Sequence, residues 1–451
     1  MNYFHITSTK DNDTISEEDF MKYAPEVNIS DDSVFIDKDQ RISFKLLNAK
    51  GIEDIYTIYQ DENKAENPLT PDNLSLIFYF LCSFKQKIQE QPLFLEILNK
   101  NLQNLASIST VYLLNFLWSL GLHCYEFQLK LSEKDKENLN AVLLSKLESF
   151  NAQQISSVAF SLFQIYSEPQ DKGNLYKLLE KTCEILFNNE SMITKVDVIN
   201  FLMIFISTGY KHPGLLDKFA EIVMKIKDSL TEEEIEKIIS LMSEIRHSNK
   251  KMYSELISKF TSFQDAKPEL ASNIIFSIAN VIPDETNLLK SLLKIIHAKW
   301  TYLNITNYVN LWLSLSKFKV KENEFAKTLN ILKTLPNESK VFKLADLEGY
   351  EIVNIIIAMS VLKINDKDFM ILLIKEMKKK LDTLPLADLV NLARSFIAYV
   401  RIFEDFFLVI HSKCCDRFKE FSKNDVALLK KTFQRVKILI PDSPFIISTV
   451  S

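Results

Sequence analysis

The chain has 451 residues, more than one ordinary compact core contains. Of these residues 47% are hydrophobic and 25% are charged, a composition typical of a folded protein. Only six residues are glycine, too few for the tight turns of doubly wound nucleotide-binding folds or β-sandwiches. The net charge of −5 is unevenly distributed, because residues 1–70 hold seven Lys and Arg against fifteen Asp and Glu, whereas residues 363–451 hold sixteen against eleven.

Residues 1–45 form an acidic, polar N-terminal arm. Two short alternating patches, Ser33–Asp37 and Arg41–Phe44, predict an extended arm with room for one hairpin. The next segment has a short Ile-rich helix at Gly51–Tyr56, then a polar stretch, then a helix opening at Thr70–Pro71. This order predicts a first helical repeat.

One helical signature then returns along the chain: an apolar residue, Asn or Ser, apolar residues, a small residue and a further apolar one. Its clearest copies are Leu114–Leu120, Val309–Leu315, Val353–Met359 and Val390–Phe396, with looser ones at 156–158, 199–201 and 272–274. Successive copies lie about 36 to 44 residues apart, the length of two helices and two turns. Capping residues and prolines precede most copies, as in Thr231 and Lys267–Pro268.

These elements predict an all-α fold, a right-handed α-solenoid of about ten helix–turn–helix repeats of roughly 36–44 residues. The repeat domain is expected over residues 46–435, followed by a short apolar tail at 436–451. No apolar run reaches the roughly 18 residues that a membrane span needs, so no span is expected.

The signature, best seen in Val309–Phe318 and Leu114–Leu122, resembles the helical repeats of organellar RNA-binding proteins. These are the FAST-kinase-like, RAP-associated heptatricopeptide and octotricopeptide repeat families. The resemblance spans roughly residues 46–435, and we expect no RAP domain, the domain that often follows such repeats, in Phe433–Ser451. The resemblance implies binding of single-stranded or ribosomal RNA in a mitochondrion or other organelle, in transcript processing, stability or ribosome assembly. A cytoplasmic location is the alternative, since no presequence is evident.

Basic residues gather just beyond the C-terminal end of the signature helix in most repeats. Stacked repeats would align them as a broken basic stripe, a track for RNA phosphates. The alternative is that Lys and Arg are favoured near helix C-termini by the helix dipole alone. The candidate RNA-binding residues are Lys85, Lys87, Lys211, Arg246, Lys250, Lys251, Lys317, Lys319, Lys321, Lys363, Lys367 and Arg401.

The recurring Asn of the signature has two interpretations. Because it recurs, whereas a residue that distinguishes bases should vary, the favoured interpretation is structural: a buried amide that bonds a neighbouring backbone group. It predicts burial of Asn115, Asn310, Asn354 and Asn391. The small residue four positions later lies on the same helical face and suits close helix packing.

No sequence motif indicates catalysis or a bound metal. The chain lacks P-loop, GxGxxG, GxSxG and HExxH patterns, and His411, Cys414 and Cys415 are too few for a zinc site. We therefore expect a non-enzymatic protein without a metal or small-molecule cofactor. Its partner is RNA, either an organellar transcript or rRNA, or alternatively the protein subunits of a large mitochondrial complex that it scaffolds.

Overall fold

The computed structural model describes residues 38–64, 69–84, 86–166 and 171–441, and within these ranges it contains α-helices, short 3-10 turns and no strand. The chain divides into two compact units, residues 1–222 and 223–451, and the boundary falls within one helix. The helices up to that boundary are α1 Lys38–Leu47, α2 Ile52–Asn63, α3 Pro71–Ser83, α4 Pro92–Gln103, α5 Thr110–Glu126, α6 Glu133–Lys146, α7 Ala152–Ile165, α8 Lys172–Asn188, α9 Lys195–Thr208 and α10 Pro213–Ile226.

Eleven further helices lie in the part of the second unit that the structure describes. They are α11 Glu232–Glu244, α12 Lys250–Thr261, α13 Pro268–Val281, α14 Thr286–Lys299, α15 Ile305–Lys317, α16 Ala326–Glu338, α17 Gly349–Leu362, α18 Lys367–Lys380, α19 Leu386–Phe396, α20 Glu404–Asp416 and α21 Lys423–Leu439. Each copy of the signature lies in an odd-numbered helix. The described residues thus contain ten helix pairs followed by α21.

Odd-numbered helices pack on one another in chain order within each unit. In the first unit the series runs from α1 to α9, and in the second from α11 to α21. Most even-numbered helices pack on their odd-numbered partners, and some pack more loosely on each other. We call these two series the odd layer and the even layer. The predicted all-α, solenoid-like repeat is confirmed, because neighbouring pairs stack sequentially as a repeat array requires.

The helix starts follow the capping residues read from the sequence. Asn151, Thr194 and Thr231 each form a reciprocal capping box with the residue three positions later. The side chain of Thr70 accepts a hydrogen bond from the Asn73 backbone, and the adjacent Pro71 occupies the first turn. Local chemistry of this kind fixes the beginning of several odd helices and with it the register of the repeats.

Side chains also join consecutive repeats across the odd layer. The Ser75 hydroxyl donates to the Tyr112 carbonyl at 2.6 Å, and the Ser272 hydroxyl donates to the Asn307 carbonyl at 3.1 Å. The backbone amide of Ser109 donates to Asp72 at 2.7 Å. An acidic residue in the first turn of one helix therefore also holds the next repeat in place.

Three of the four small residues in the clearest copies of the signature are buried, and the fourth, Ser395, is half-buried. Ser119, Ser314 and Ala358 are fully buried, so that neighbouring odd helices approach closely. In α5 every residue from Leu113 to Cys124 is buried, which explains why most of this stretch is apolar. The hydrophobic core therefore lies within the odd layer and next to it.

The extended conformation predicted for Arg41–Phe44 is wrong, because these residues belong to helix α1. Ile42 and Leu46 are buried four positions apart on one face of α1, which packs on α3. The helical array therefore begins before residue 46, and α21 extends it to Leu439, beyond the expected end at 435. The other alternating patch, Ser33–Asp37, lies outside the described residues, as do residues 442–451.

Within the described residues, no helix combines the length and hydrophobicity needed to cross a membrane.

Candidate nucleic-acid interface

Three of the predicted basic residues lie in the left-handed region of backbone conformation. Arg246, Lys319 and Lys363 have φ values of 64°, 50° and 58°, and they follow α11, α15 and α17. An L-residue with a side chain pays about 1–2 kcal/mol for this conformation, which glycine adopts freely. We call these three residues the left-handed cations.

The backbone around each of them closes the preceding helix in the same way. The amide of the residue after the cation reaches back five positions, as from Ile364 to the Met359 carbonyl at 2.9 Å and from His247 to the Met242 carbonyl at 3.0 Å. This is the hydrogen-bond pattern of a Schellman C-cap, in which glycine is the usual residue. In the first unit, the corresponding position after α9 is indeed a glycine, Gly209, with φ of 70°.

The left-handed cations are exposed, and their side chains form no hydrogen bond or ion pair with any described residue. Their stacked helices α15 and α17 pack directly on each other. The turn of Lys363 also contacts that of Arg401, because the Tyr399 hydroxyl donates to the Ile364 carbonyl at 3.0 Å. These positions therefore project free positive charge from one edge of the second unit.

Lys250, Lys251 and Lys367 lie in the first turn of an even helix, at the start of α12 or α18. The dipole that favours Lys at a helix C-terminus is unfavourable at this end, so it does not account for their placement. Lys250 nevertheless forms an ion pair with Glu285, with its Nζ 2.8 Å from Oε1. Lys251 and Lys367 are exposed without such a pair among the described residues.

Lys317, at the end of α15, is half-buried. Its ammonium lies 4.8 Å from the centre of the Phe276 ring and donates to the Asn280 side chain of the preceding repeat. Burial lowers the pKa of Lys317 to about 8. Lys321 is exposed, with its Nζ 3.9 Å from Glu324 Oε1. Lys317 thus joins the C-terminal parts of two consecutive odd helices, α13 and α15.

The remaining candidates are more scattered. Arg401 is exposed in the turn before α20, and Lys87 and Lys211 are exposed in turns of the first unit; Lys85 lies outside the described residues. The turn between α13 and α14 holds no basic residue and carries Asp284 and Glu285 instead. The predicted basic stripe is therefore interrupted along the second unit. Its unpaired positive charge lies mainly on the left-handed cations and their neighbours.

The structural interpretation of the recurring Asn is wrong in the second unit. Asn310, Asn354 and Asn391 are half-buried, and their side chains form no hydrogen bond with a described residue. Asn273, at the same position of α13, uses its Oδ1 to accept from Asn307 Nδ2 at 3.1 Å. We call these four residues, Asn273, Asn310, Asn354 and Asn391, the amide row.

The physical reason is that each of these helices keeps one narrow exposed stripe. In α15, Thr306, Asn310 and Lys317 share this stripe at spacings of four and seven residues, while the positions between Val309 and Ser316 other than Asn310 are buried. The polar residues at these spacings were the signal that sequence reasoning missed. The bonds to neighbouring backbone come from other amides, such as Asn101 to the Leu74 carbonyl at 3.1 Å.

In the first unit the signature Asn is buried, but not in the way expected. Asn115 is 2% exposed, and its Oδ1 has no hydrogen-bond partner among the described residues. Asn200 is 6% exposed. The two units therefore place the same signature residue in different environments.

Within the described part of the chain, no three His, Cys, Asp or Glu side chains are grouped so that they could hold a metal ion. No protein-family model matches the chain, and no curated protein shows significant similarity to it.

Proposed function

We propose that this protein is a non-enzymatic helical-repeat protein that binds single-stranded RNA, from a transcript or from the ribosome, in an organelle. The left-handed cations carry this proposal. The resemblance to organellar repeat proteins supports an organellar location. There the protein would act in RNA processing, RNA stability or ribosome assembly.

Stability alone does not explain Arg246, Lys319 and Lys363. Glycine would fit each backbone position at lower cost, and their side chains make no compensating bond with described residues. A polyanion supplies the missing interaction, because each contact between a cation and a phosphate releases counterions. Lys251 and Lys367 add charge at helix ends where the dipole opposes it.

The test is the salt dependence of RNA binding by the full chain. We expect binding of an unstructured single-stranded RNA to weaken steeply with salt. In the triple variant Arg246→Gly, Lys319→Gly, Lys363→Gly, the slope of log affinity against log salt should fall by about 2, since each lost contact removes about 0.7. Fluorescence anisotropy across a salt series measures both quantities.

Gln128→Gly is the matched control, because Gln128 is an exposed, uncharged residue in the same left-handed region, with φ of 54°. It should leave the slope unchanged. Absence of salt-sensitive RNA binding by the wild-type chain, or an unaltered slope in the triple variant, would contradict the proposal. The location is tested separately, by fractionating cells that express the tagged protein.

A second candidate is a protein–protein scaffold within a large mitochondrial complex. It is favoured by the acidic residues that share the edge, since Glu285 neutralises Lys250 and Glu324 lies beside Lys321. Native purification after nuclease treatment distinguishes the two functions. A stoichiometric protein partner that survives nuclease supports the scaffold, whereas loss of all partners with the RNA supports RNA binding.

A further inference from the structure

The amide row repeats once per helix pair along the second unit. Its members occupy equivalent positions of α13, α15, α17 and α19, which pack on each other in that order. The equivalent position of α11, 37 residues before Asn273, is Glu236, which is also half-buried. We call Glu236 together with the amide row the polar row.

The polar row has unused hydrogen-bonding capacity. A carboxamide has two N–H donors and an acceptor oxygen, yet the side chains of Asn310, Asn354 and Asn391 bond to no described residue. Alanine has a higher helix propensity than Asn and would leave no polar group half-buried without a partner. Helix stability therefore gives no reason for Asn at these positions, whereas a ligand that both donates and accepts does.

The spacing of the row fits an extended peptide. Packed helices lie about 8–10 Å apart. A polypeptide in the polyproline II conformation advances about 3.1 Å per residue and completes a turn every three residues, about 9.3 Å. Every third peptide group would thus face one member of the row, and its N–H and C=O complement the oxygen and NH₂ of a carboxamide.

An accessible apolar side chain lies one helical turn beyond two of the four amides. Phe276 and Ile357 are half-buried three positions after Asn273 and Asn354. They provide surface for the side chains of a bound peptide beside the groups that bind its main chain. A site with both kinds of group recognises an extended chain through its backbone and selects among sequences through its side chains.

The charge at one end of the row determines which polymer fits. Glu236 lies on α11, and the half-buried Glu269 lies one turn before Asn273 on α13. Glu236 Oε1 accepts from the Ser240 hydroxyl at 2.9 Å. These carboxylates repel the phosphates of a nucleic acid and attract a Lys or Arg side chain.

We propose that the polar row binds an extended segment of a partner protein in the polyproline II conformation. Its main chain bonds to Asn273, Asn310, Asn354 and Asn391, and a Lys or Arg side chain contacts Glu236 and Glu269. Five positions at about 8–10 Å span about 32–40 Å, which corresponds to some 10–13 peptide residues. The proposal does not depend on RNA binding by the left-handed cations.

The test selects 12-residue peptides from a random display library against the full chain and uses the selected peptides as probes. We expect them to be proline-rich with at least one Lys or Arg. The double variant Asn310→Ala, Asn354→Ala should weaken their binding at least tenfold while melting no lower than the wild type. Glu236→Gln should weaken the same peptides several-fold, and less at high salt.

Asn330→Ala is the control, because Asn330 is an exposed Asn in the same repeat as Asn310 but on α16, in the even layer. It should leave peptide affinity unchanged. The proposal is overturned when the library yields no binder, when selected peptides bind the double variant as tightly as the wild type, or when the double variant loses RNA affinity and retains peptide affinity. RNA assays on the left-handed cations are independent of these outcomes, so the two proposals fail separately.

Discussion

The two units use the same repeat plan but place equivalent residues differently. In the first unit, the signature Asn115 and Asn200 are buried, and the left-handed position after α9 is Gly209. In the second unit, Asn310 and Asn354 reach solvent, and a left-handed position after α17 is occupied by Lys363. The comparison teaches that the signature Asn can serve packing in some repeats and form an accessible surface in others.

The interiors differ as well. The first unit buries the ion pair of Lys136 and Asp171, whose side chains are 7% and 3% exposed, and the imidazole of His123. In the second unit, the fully buried Trp312 stacks on Phe369 with ring centroids 5.9 Å apart. The first unit therefore depends more on buried polar groups, which makes its stability more sensitive to charge.

The largest expected effect is the loss of the buried ion pair. Lys136→Ala leaves Asp171 as a buried carboxylate without the ammonium now 2.8 Å away, and should lower the free energy of unfolding of the first unit by about 3–5 kcal/mol. Lys333→Ala breaks a more exposed pair with Asp366 in the second unit, so its cost should be about 1 kcal/mol or less.

Hydrogen exchange measured by mass spectrometry on peptides from α6 and α16 reports the two units separately. The double variant Lys136→Met, Asp171→Leu is the control, because it removes both charges and should recover most of the lost stability. Equal losses from Lys136→Ala and Lys333→Ala would contradict the difference in burial.

The second prediction concerns the stability of the first unit at acidic pH. Burial lowers the pKa of His123 to about 4, and its ring stacks on Phe94 with centroids 5.2 Å apart. Between pH 6.5 and 4, the unfolded chain binds a proton that folded His123 does not, so the stability of the first unit should fall as the pH falls through this window. The loss should be at most about 3 kcal/mol.

His123→Phe should remove most of this acid sensitivity while keeping an aromatic ring in the same place. Chemical denaturation at pH 7 and pH 4.5, monitored by hydrogen exchange in α5, measures the change in stability. An unchanged pH dependence in the variant would show that other groups control the acid stability of the first unit.

The smallest expected effects have opposite signs at equivalent positions. Lys363→Gly relieves a left-handed conformation and should raise the stability of the second unit by about 1 kcal/mol. Gly209→Ala introduces that strain into the first unit and should lower its stability by about the same amount, since no neighbouring atom blocks the added Cβ. Thermal denaturation monitored by circular dichroism measures both, and shifts of the same sign would contradict the assignment.

Much of the fold was predictable because helix starts and periodicity are local properties. Thr231 with Glu234, and Thr70 with Pro71, mark helix starts through contacts within four residues. The error at Arg41–Phe44 came from reading a four-residue alternation as a strand, whereas Ile42 and Leu46 have helical spacing.

The candidate site was less predictable because it depends on tertiary packing. The sequence around Asn310 is apolar on both sides, so whether that amide reaches solvent is decided by how neighbouring odd helices cover α15. A left-handed residue is readily predicted where it is glycine, but Lys319 and Lys363 give no such signal. The grouping of basic residues in the turns was visible in the sequence, whereas the ion pair that neutralises Lys250 was not.

The left-handed cations have a consequence for how such an array diversifies. Their side chains form no hydrogen bond or ion pair with a described residue. Substituting one of them therefore changes the charge of the edge without changing how the helices pack. Mutation of a single codon per repeat is then enough to change the charge of that edge, while the odd layer keeps its register. Chains that share this scaffold can therefore differ in surface charge without differing in fold.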